Sequence, residues 1–349
     1  MFAGSTVTTG TTRSVLGVVL VSYNSVDVIL DCLESLCAAA VGDGTTLRIV
    51  VVDNASSDNV MGAVGEWLAG RTVYLPPVDL PFPHVPMHKP LPEGQVALIP
   101  TGVNGGFAAG VNIGLAHLFA DSAISRVWIL NPDSVIPKGT PAAFASYDAG
   151  PFALIGGRVF YYDRPEIIQI DGGTINLWTG VTGNLNQYAT VASAKPPLAS
   201  ACDFITGASM VVSRTFWEKV GPMPEDYFLY YEEVDWALQR GELPLVLVPA
   251  AIVYHRAGTA IGSPSVGRRA SPFSLYFKHR ARLRFVRRHL PRSIVTAWLY
   301  TLAKVAQFAL RGWWADVAAV CRGALDAPPP KQVRERLDPA AAKLAFAHK

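Results

Sequence analysis

Three apolar runs, at 16–21, 47–52 and 127–130, each stop abruptly at a polar tip. Runs of this length without alternation read as strands buried on both faces. The first is followed by Val28, Ile29, Cys32, Leu33 and Leu36 at helical spacing, with Ser25 placed to cap that helix. The second is followed by a helix carrying Val64, Trp67 and Leu68. Strand, helix, strand, helix predicts a parallel sheet with right-handed crossovers. Ligands of such open sheets bind outside the carboxyl ends of the strands. Attention therefore goes to the tips: Ser22, Tyr23 and Asn24; Asp53 and Asn54; Asn131, Pro132 and Asp133. Pro132 cannot donate to a ladder, so the third strand ends there and presents the Asp133 carboxylate at its edge. A carboxylate in that place suits a divalent cation carrying a diphosphate, because hard cations take oxygen ligands and keep positions for phosphates. A plain Asx turn would use the same residues.

A fourth strand at 95–100 leads to Asn104, Gly105 and Gly106, a glycine-rich turn opening a helix that runs to about residue 120. Small residues before a helix N-terminus let a phosphate approach, although Gly110 and Gly114 suit close helix–sheet packing equally well. The turn is not G-x-G-x-x-G and does not follow the first strand, which argues against a dinucleotide and hydride transfer. Residues 75–95 are proline-rich and predict an extended surface loop, whose His84 and His88 fit solvation better than metal binding. Strands are expected at 152–161, within 169–178, within 201–212 (interrupted at Thr206 and Gly207) and at 245–253, with loop at 184–197 and a short helix at 214–220. Four aromatics at 227–231 approach Glu232, Glu233 and Asp235 at the start of a helix reaching Arg240. Acids there complement a helix dipole; they also suit a general base in a partly dry site. Trp178 could be an acceptor platform, but a packed aromatic is expected.

Half of the 349 residues are hydrophobic and 16% are charged, so one large or two moderate domains with a substantial core are expected. A net charge of +3 gives no footing for nucleic acid. Cys32, Cys37, Cys202 and Cys321 lack metal spacing; the first two fall in a helix and Cys202 in a strand, as reduced buried thiols of a cytosolic protein would. Residues 1–14 read as a flexible leader without a signal peptide. Between 278 and 292 stand one lysine and six arginines interleaved with aromatic and apolar residues, followed by an apolar stretch to 314 whose uncharged runs are too short to span a bilayer. This suits an interfacial helix on an anionic membrane, or equally a face packed on the catalytic domain or a second copy. The tail 327–349 is expected to be exposed.

Seven motifs stand in order: Val21 to Asn24 at the first tip, Val52 to Asp58 at the second, Asn104 to Asn112, Leu130 to Ser134, Ile205 to Ala208, Tyr231 to Arg240, and Val253 to Gly258. Together they resemble an inverting family 2 glycosyltransferase of GT-A fold, in its bacterial rhamnosyltransferase-like branch, over residues 15–290. The resemblance implies a Rossmann-like, mostly parallel sheet flanked by helices. It implies a catalytic domain at 15–270, with a nucleotide-binding half at 15–135 and an acceptor half at 136–270, and a helical extension at 271–326. Ser22, Tyr23, Asn24, Asp53 and Asn54 would meet base and ribose, and Asn104, Gly105, Gly106 and Asn112 would border the nucleotide and donor sugar. Asn131 and Asp133 fill the family's D-x-D, with Asp133 as a ligand of Mg2+ or Mn2+ and His255 as a further ligand or a diphosphate contact. Glu233 aligns with the general base; relatives read Glu-Asp where this chain reads Glu-Glu, so Glu232 and Asp235 stay as alternates. The implied donor is a dTDP- or UDP-linked sugar, foremost dTDP-rhamnose, and the acceptor a surface glycan or lipid-linked sugar. The implied location is cytoplasmic, peripheral at the inner membrane face. A sugar nucleotidyltransferase would want a glycine- and arginine-rich loop after the first strand, and a non-catalytic nucleotide-sugar binder would fit better without Asp133 or the Glu232–Glu233 pair.

Overall fold

The computed structural model describes residues 14–87, 94–148, 150–256 and 269–347. Most of the leader, His88, and the Ala257 and Gly258 end of the last motif lie outside the described residues. The apolar runs become β1 (Ser14–Ser22), β2 (Thr45–Asp53), β3 (Val96–Pro100) and β4 (Arg126–Leu130), alternating with α1 (Ile29–Ala39), α2 (Val60–Leu68) and α3 (Phe107–Phe119). Then come β5 (Ser134–Val135), α4 (Thr140–Ala145), β6 (Leu154–Tyr161), β7 (Ile168–Ile170), β8 (Gly173–Ile175), β9 (Thr182–Asn184), β10 (Ser209–Ser213), α5 (Arg214–Val220), α6 (Glu232–Leu238) and β11 (Leu245–His255). The helices α7 (Pro272–His289), α8 (Ile294–Leu310), α9 (Trp314–Ala324), α10 (Lys331–Arg334) and α11 (Pro339–Ala345) follow.

The main sheet runs β3-β2-β1-β4-β10-β6-β11-β5, with β7 on β6. Its first four strands are parallel, β10 enters antiparallel between β4 and β6, and β6 and β11 are parallel again. The register brings the polar tips to one edge. Ser22 pairs with Asp53 and Leu20 with Leu130, β10 starts at Ser209 opposite Leu130, and His255 pairs with Ser134. Successive strand residues feed opposite faces, as a pleat requires: Val18 and Leu20 join one core cluster and Val19 the other. Trp128 is wholly buried, its indole N–H donating to Ser209 Oγ at 3.0 Å.

Several local expectations change. Ser25 does not cap α1; its hydroxyl meets Ser22 Oγ at 2.6 Å, and the helix starts later, behind Val28. Cys202 is buried after a 3-10 turn rather than in a strand. Gly110 and Gly114 serve packing: a Cβ there would stand 2.6 Å and 2.5 Å from Val21 and Val19. Residues 75–87 carry no helix or strand, as expected of the loop. Trp178, expected to pack, is 72% exposed.

The carboxy-terminal region departs most. Of the two expectations for the basic segment, packing on the protein is the one met: it is a largely buried helix, α7, whose guanidinium groups find partners inside. Arg280 and Arg284 pair with Asp326, and Arg288 with Asp226 and Asp235. Arg282 donates to Thr179 O and to the Thr301 hydroxyl of α8. The tail expected to be exposed folds back as α10 and α11, and Val333 and Ala341 are fully buried in a third cluster with Phe273 and Phe277. Pro291–Leu310, expected to be too interrupted for a bilayer, forms 20 helical residues of mean hydropathy 1.2, long and apolar enough to cross a membrane by length and composition, and only 11% buried. Its Lys304 charge is accommodated locally, with Nζ 3.0 Å from Gln307 Oε1 and 5.8 Å from the Tyr300 ring centroid.

Candidate active site

A cavity of about 730 Å³ opens where the strand tips converge, within the usual range of small-ligand sites. Tyr23 and Asn24 line it from the end of β1, Asn54 from β2, Asn131 and Asp133 from β4, and His255 from β11. Backbone strain is concentrated around it. Among the described residues, the non-glycine residues at positive φ are Asn24, Ala55, Asn186, Tyr188, Phe228, Tyr230, Tyr231 and Asp326. All but Asp326 line the cavity or directly adjoin a lining residue in the chain. Left-handed backbone at a bulky residue costs about 1–3 kcal/mol, and such strain gathers at sites that need it.

The run Phe228, Leu229, Tyr230 and Tyr231 uses this strain to deliver Glu232 and Glu233 to the cavity. It is held by the glycine-rich turn. Phe228 O accepts the Phe107 N–H at 3.2 Å, and a Cβ on Gly106 (φ 93°) would stand 2.3 Å from that oxygen. Only glycine fits, so the start of α3 and the approach to α6 form one unit. Burial raises the carboxyl of Glu232 well above the usual range, and the neighbouring Glu233 pushes it further. Burial pushes Glu233 up to about 7, opposed by the Glu233 and Val234 backbone N–H groups and Lys278. Glu232 is 3% exposed, and among the described residues its Oε2 has no hydrogen-bond partner.

Across the strand tips, His255 Nε2 lies 3.0 Å from Asp133 Oδ1. Gln169 Oε1 lies 3.0 Å from His255 Nδ1, and a ring that carries its proton on Nδ1 would turn its Nε2 lone pair toward the carboxylate and Asn131. Asn131 Nδ2 stands 3.2 Å from the same nitrogen. Two electron-rich atoms so close suit a shared cation: neighbouring ligands of an octahedral ion at about 2.1 Å are themselves about 3.0 Å apart. Among the described residues no cluster of three or more His, Cys, Asp or Glu could hold a metal. The pair would supply two ligands, leaving the rest to phosphate and water.

The other expected residues divide. Asn54 donates to Gly106 O at 2.8 Å, and among the described residues its buried Oδ1 has no partner. Asn104 and Gly106 line the cavity, whereas Gly105, Ser22 and Asp53 do not. Ser22 is fully buried against Ser25, and the Asp53 carboxylate accepts from the Ser56 hydroxyl and backbone N–H, closing the turn after β2. Asn112 is structural: its side chain exchanges hydrogen bonds with the Met223 backbone and donates to Glu225. Asp235 is structural as well, fully buried among Tyr227, Gln239, Arg288 and His289. These hydrogen bonds and charges hold its carboxyl below the usual range against the effect of burial. The strand-tip reading missed Gln169, the stacked Tyr161 and Tyr188 (ring centroids 6.0 Å apart), Lys278 and Arg336, all of which line the cavity.

Comparison with known proteins follows the same lines. The family model described as glycosyl transferase family 2 matches residues 17–76. A low-salt glycan biosynthesis hexosyltransferase of Haloferax volcanii is 23% identical over 225 residues, 63% of this chain and 60% of that relative's length. The chain thus spans less than two thirds of the curated relative it matches. Among solved structures, a mannosyltransferase from Pyrobaculum calidifontis in complex with GDP-Man and Mn2+ is similar at TM-score 0.52 and 16% identity, over 90% of this chain and 87% of that one. GalNAc-T7 with UDP, GalNAc and Mn2+ gives TM-score 0.55 at 14% identity, over 79% and 48%. At these identities the structural likeness concerns the fold, which is of GT-A type.

Proposed function

We propose that this chain, a family 2 glycosyltransferase, moves a hexose or deoxyhexose from a nucleoside-diphosphate sugar to an acceptor hydroxyl by single displacement with inversion. One observation carries the reading: Glu233 and the Asp133–His255 pair line the same cavity. Glu233 takes the proton of the incoming hydroxyl, a role typically worth about 10²–10⁴-fold. A raised carboxyl suits it, being ionised near neutrality yet basic enough to draw a proton. Asp133 and His255 would hold Mg2+ or Mn2+, and a bound divalent cation would supply neutralisation of the charge developing on a departing nucleoside diphosphate. Tyr23, Asn24 and Asn54 meet the nucleoside, where the unpartnered Asn54 Oδ1 takes a ribose hydroxyl or base N–H. Rhamnose from dTDP-rhamnose leads the donors on the motif resemblance alone. Incubating the purified chain with dTDP-rhamnose, UDP-sugars and GDP-mannose, with Mn2+, and measuring release of nucleoside diphosphate tests the reading. Release from none of them sinks it.

The acceptor is met at an anionic membrane surface. The exposed positions of α8 are Val295, Leu299, Leu302, Ala303, Ala306 and Leu310, all apolar and on one stripe at three- and four-residue spacing. Leu177 and Trp178, from the β8–β9 turn, stand beside its first turn, where Ser293 and Thr296 donate to their carbonyls. Exposed Arg287, Arg292 and Arg311 flank the stripe. An apolar stripe with tryptophan and cations at its margins suits a helix lying in the lipid interface. The opposite face is bound to the protein, for Ala297 and Thr301 are buried under Arg282. Flotation with phosphatidylglycerol-containing vesicles is expected, weakened by salt and abolished by Leu299→Asp with Leu302→Asp. No flotation, with the stripe instead making a dimer in sedimentation, contradicts it.

A further inference from the structure

The reaction above uses His255 without saying what orients its ring. The backbone around it is fixed. His255 pairs with Ser134 of β5, and its carbonyl accepts the Tyr162 N–H at 3.1 Å. The next residue, Arg256, donates its N–H to Asp133 O at 3.0 Å. What the backbone leaves undecided is which ring nitrogen carries the proton. Three side chains meet those nitrogens. Gln169 Oε1 is 3.0 Å from Nδ1, while Asn131 Nδ2 at 3.2 Å and Asp133 Oδ1 at 3.0 Å face Nε2. The His255 side chain is 8% exposed, so these groups, rather than bulk water, decide the matter. Gln169 is itself firmly placed. It stands in β7 between the buried Ile168 and Ile170, so the pleat turns its side chain the other way, to the cavity. Ile168 donates to Ala189 O and accepts from the Tyr188 N–H, both at 2.9 Å, and Asn184 Nδ2 donates to Gln169 O at 3.5 Å.

The two tautomers differ on these contacts. A proton on Nε2 would set an N–H against Asn131 Nδ2, which only donates, and would turn the Nδ1 lone pair on the Gln169 oxygen. A proton on Nδ1 gives Gln169 Oε1 a donor and gives the Asn131 N–H an acceptor in Nε2. Of the three contacts, that leaves Asp133 Oδ1 facing a lone pair, which a shared cation resolves. We infer that Gln169 is a positioning residue: by accepting from Nδ1 it keeps the His255 proton off the cation side and presents Nε2 as a ligand. An outer acceptor of this kind also makes the imidazole a stronger ligand. The inference rests on the reading of Asp133 and His255 as cation ligands, and adds the residue that sets one of them.

Nitrogen-15 spectra of the full chain, labelled at histidine and kept in mildly alkaline, metal-free buffer, read the proton position directly. The His255 signals are identified by their loss in His255→Asn. In the wild type the proton is expected on Nδ1. In Gln169→Leu most of the population is expected to move it to Nε2, where it can bond Asp133. Mn2+ affinity, measured from the paramagnetic resonance of the free ion, is expected to fall about ten- to hundredfold in Gln169→Leu. Gln169→Glu keeps an oxygen acceptor, so it is expected to retain the Nδ1 proton and to bind Mn2+ at least as tightly as the wild type. A merely structural role for Gln169 would leave the proton where it is. The inference is overturned by a wild-type proton on Nε2, by wild-type Mn2+ affinity in Gln169→Leu, or by a wild type that binds no Mn2+. Should Gln169→Leu fail to fold, the wild-type and Gln169→Glu spectra and affinities still decide. Failure of the glycosyltransferase reading is distinct: no donor releases nucleoside diphosphate, while Mn2+ binding and the proton position stand as expected.

Discussion

Glu233 has an environment that a surface carboxylate lacks, and this fixes two pH dependences. Its folded pKa is raised from the usual 4.5 to about 7 by burial. A base in that position is lost as pH falls through about 7, so kcat/KM should drop about tenfold per unit on the acid side. Glu233→Gln should lower turnover by about 10²–10⁴ and remove that limb. For stability the sign is opposite. A folded pKa above the unfolded one favours the folded state at pH below the unfolded value, and this contribution is lost as pH rises through about 7. Glu233→Gln should therefore raise the melting temperature at pH 8 and leave it nearly unchanged at pH 5. A variant less stable at pH 8 would show that the ionised carboxylate is welcome where it sits. The position of Asp133 was legible because a strand stopped by Pro132 has one way to end. The choice among Glu232, Glu233 and Asp235 was not legible from composition, although helix rotation already separates Glu233 from Asp235 by about 200°. Asn112 and Asp53 matched their motifs in type, yet in the fold their side chains bond to Met223 and Ser56.

At the scale of elements, the segment 226–233 and the turn at Asn104–Gly106 act as a pair. Gly106→Ala adds a Cβ 2.3 Å from Phe228 O at φ 93°. It should cost at least about 1–3 kcal/mol in denaturant unfolding and displace the acids, so activity should fall by more than stability alone explains. An alanine variant with wild-type stability and turnover would dissolve the pairing. The strain at Phe228, Tyr230 and Tyr231 could not be foreseen, since aromatic residues give no sign of left-handed backbone. Whether the basic helix α7 faces lipid or protein stayed open for a related reason. Counting arginines gives their number, whereas their partners Asp326, Thr301 and Thr179 come from distant parts of the chain.

Over the whole molecule, the parallel half of the sheet was readable because each buried strand is one uninterrupted apolar run. The second half was harder: β7, β8 and β9 have three residues each, and β8 and β9 contain Gly173 and Gly183. Strands so short carry little periodicity. The third core was hidden because the tail's buried residues, Val333, Leu337, Ala341 and Ala345, are scattered among charged ones and gain meaning only against Phe273 and Phe277. The assembled molecule thus places the strand tips with Asp133 and His255, and the carboxylate of Glu233, on one cavity, with a wall contributed by its carboxy-terminal helices. A cation shared by Asp133 and His255 is the central proposal, and nucleotide titration reaches it most directly. With Mn2+, the wild type and Glu233→Gln should bind a nucleoside diphosphate alike, whereas chelation or Asp133→Ala should weaken it about ten- to hundredfold. Equal affinity in chelator, or an undiminished Asp133→Ala, would contradict it.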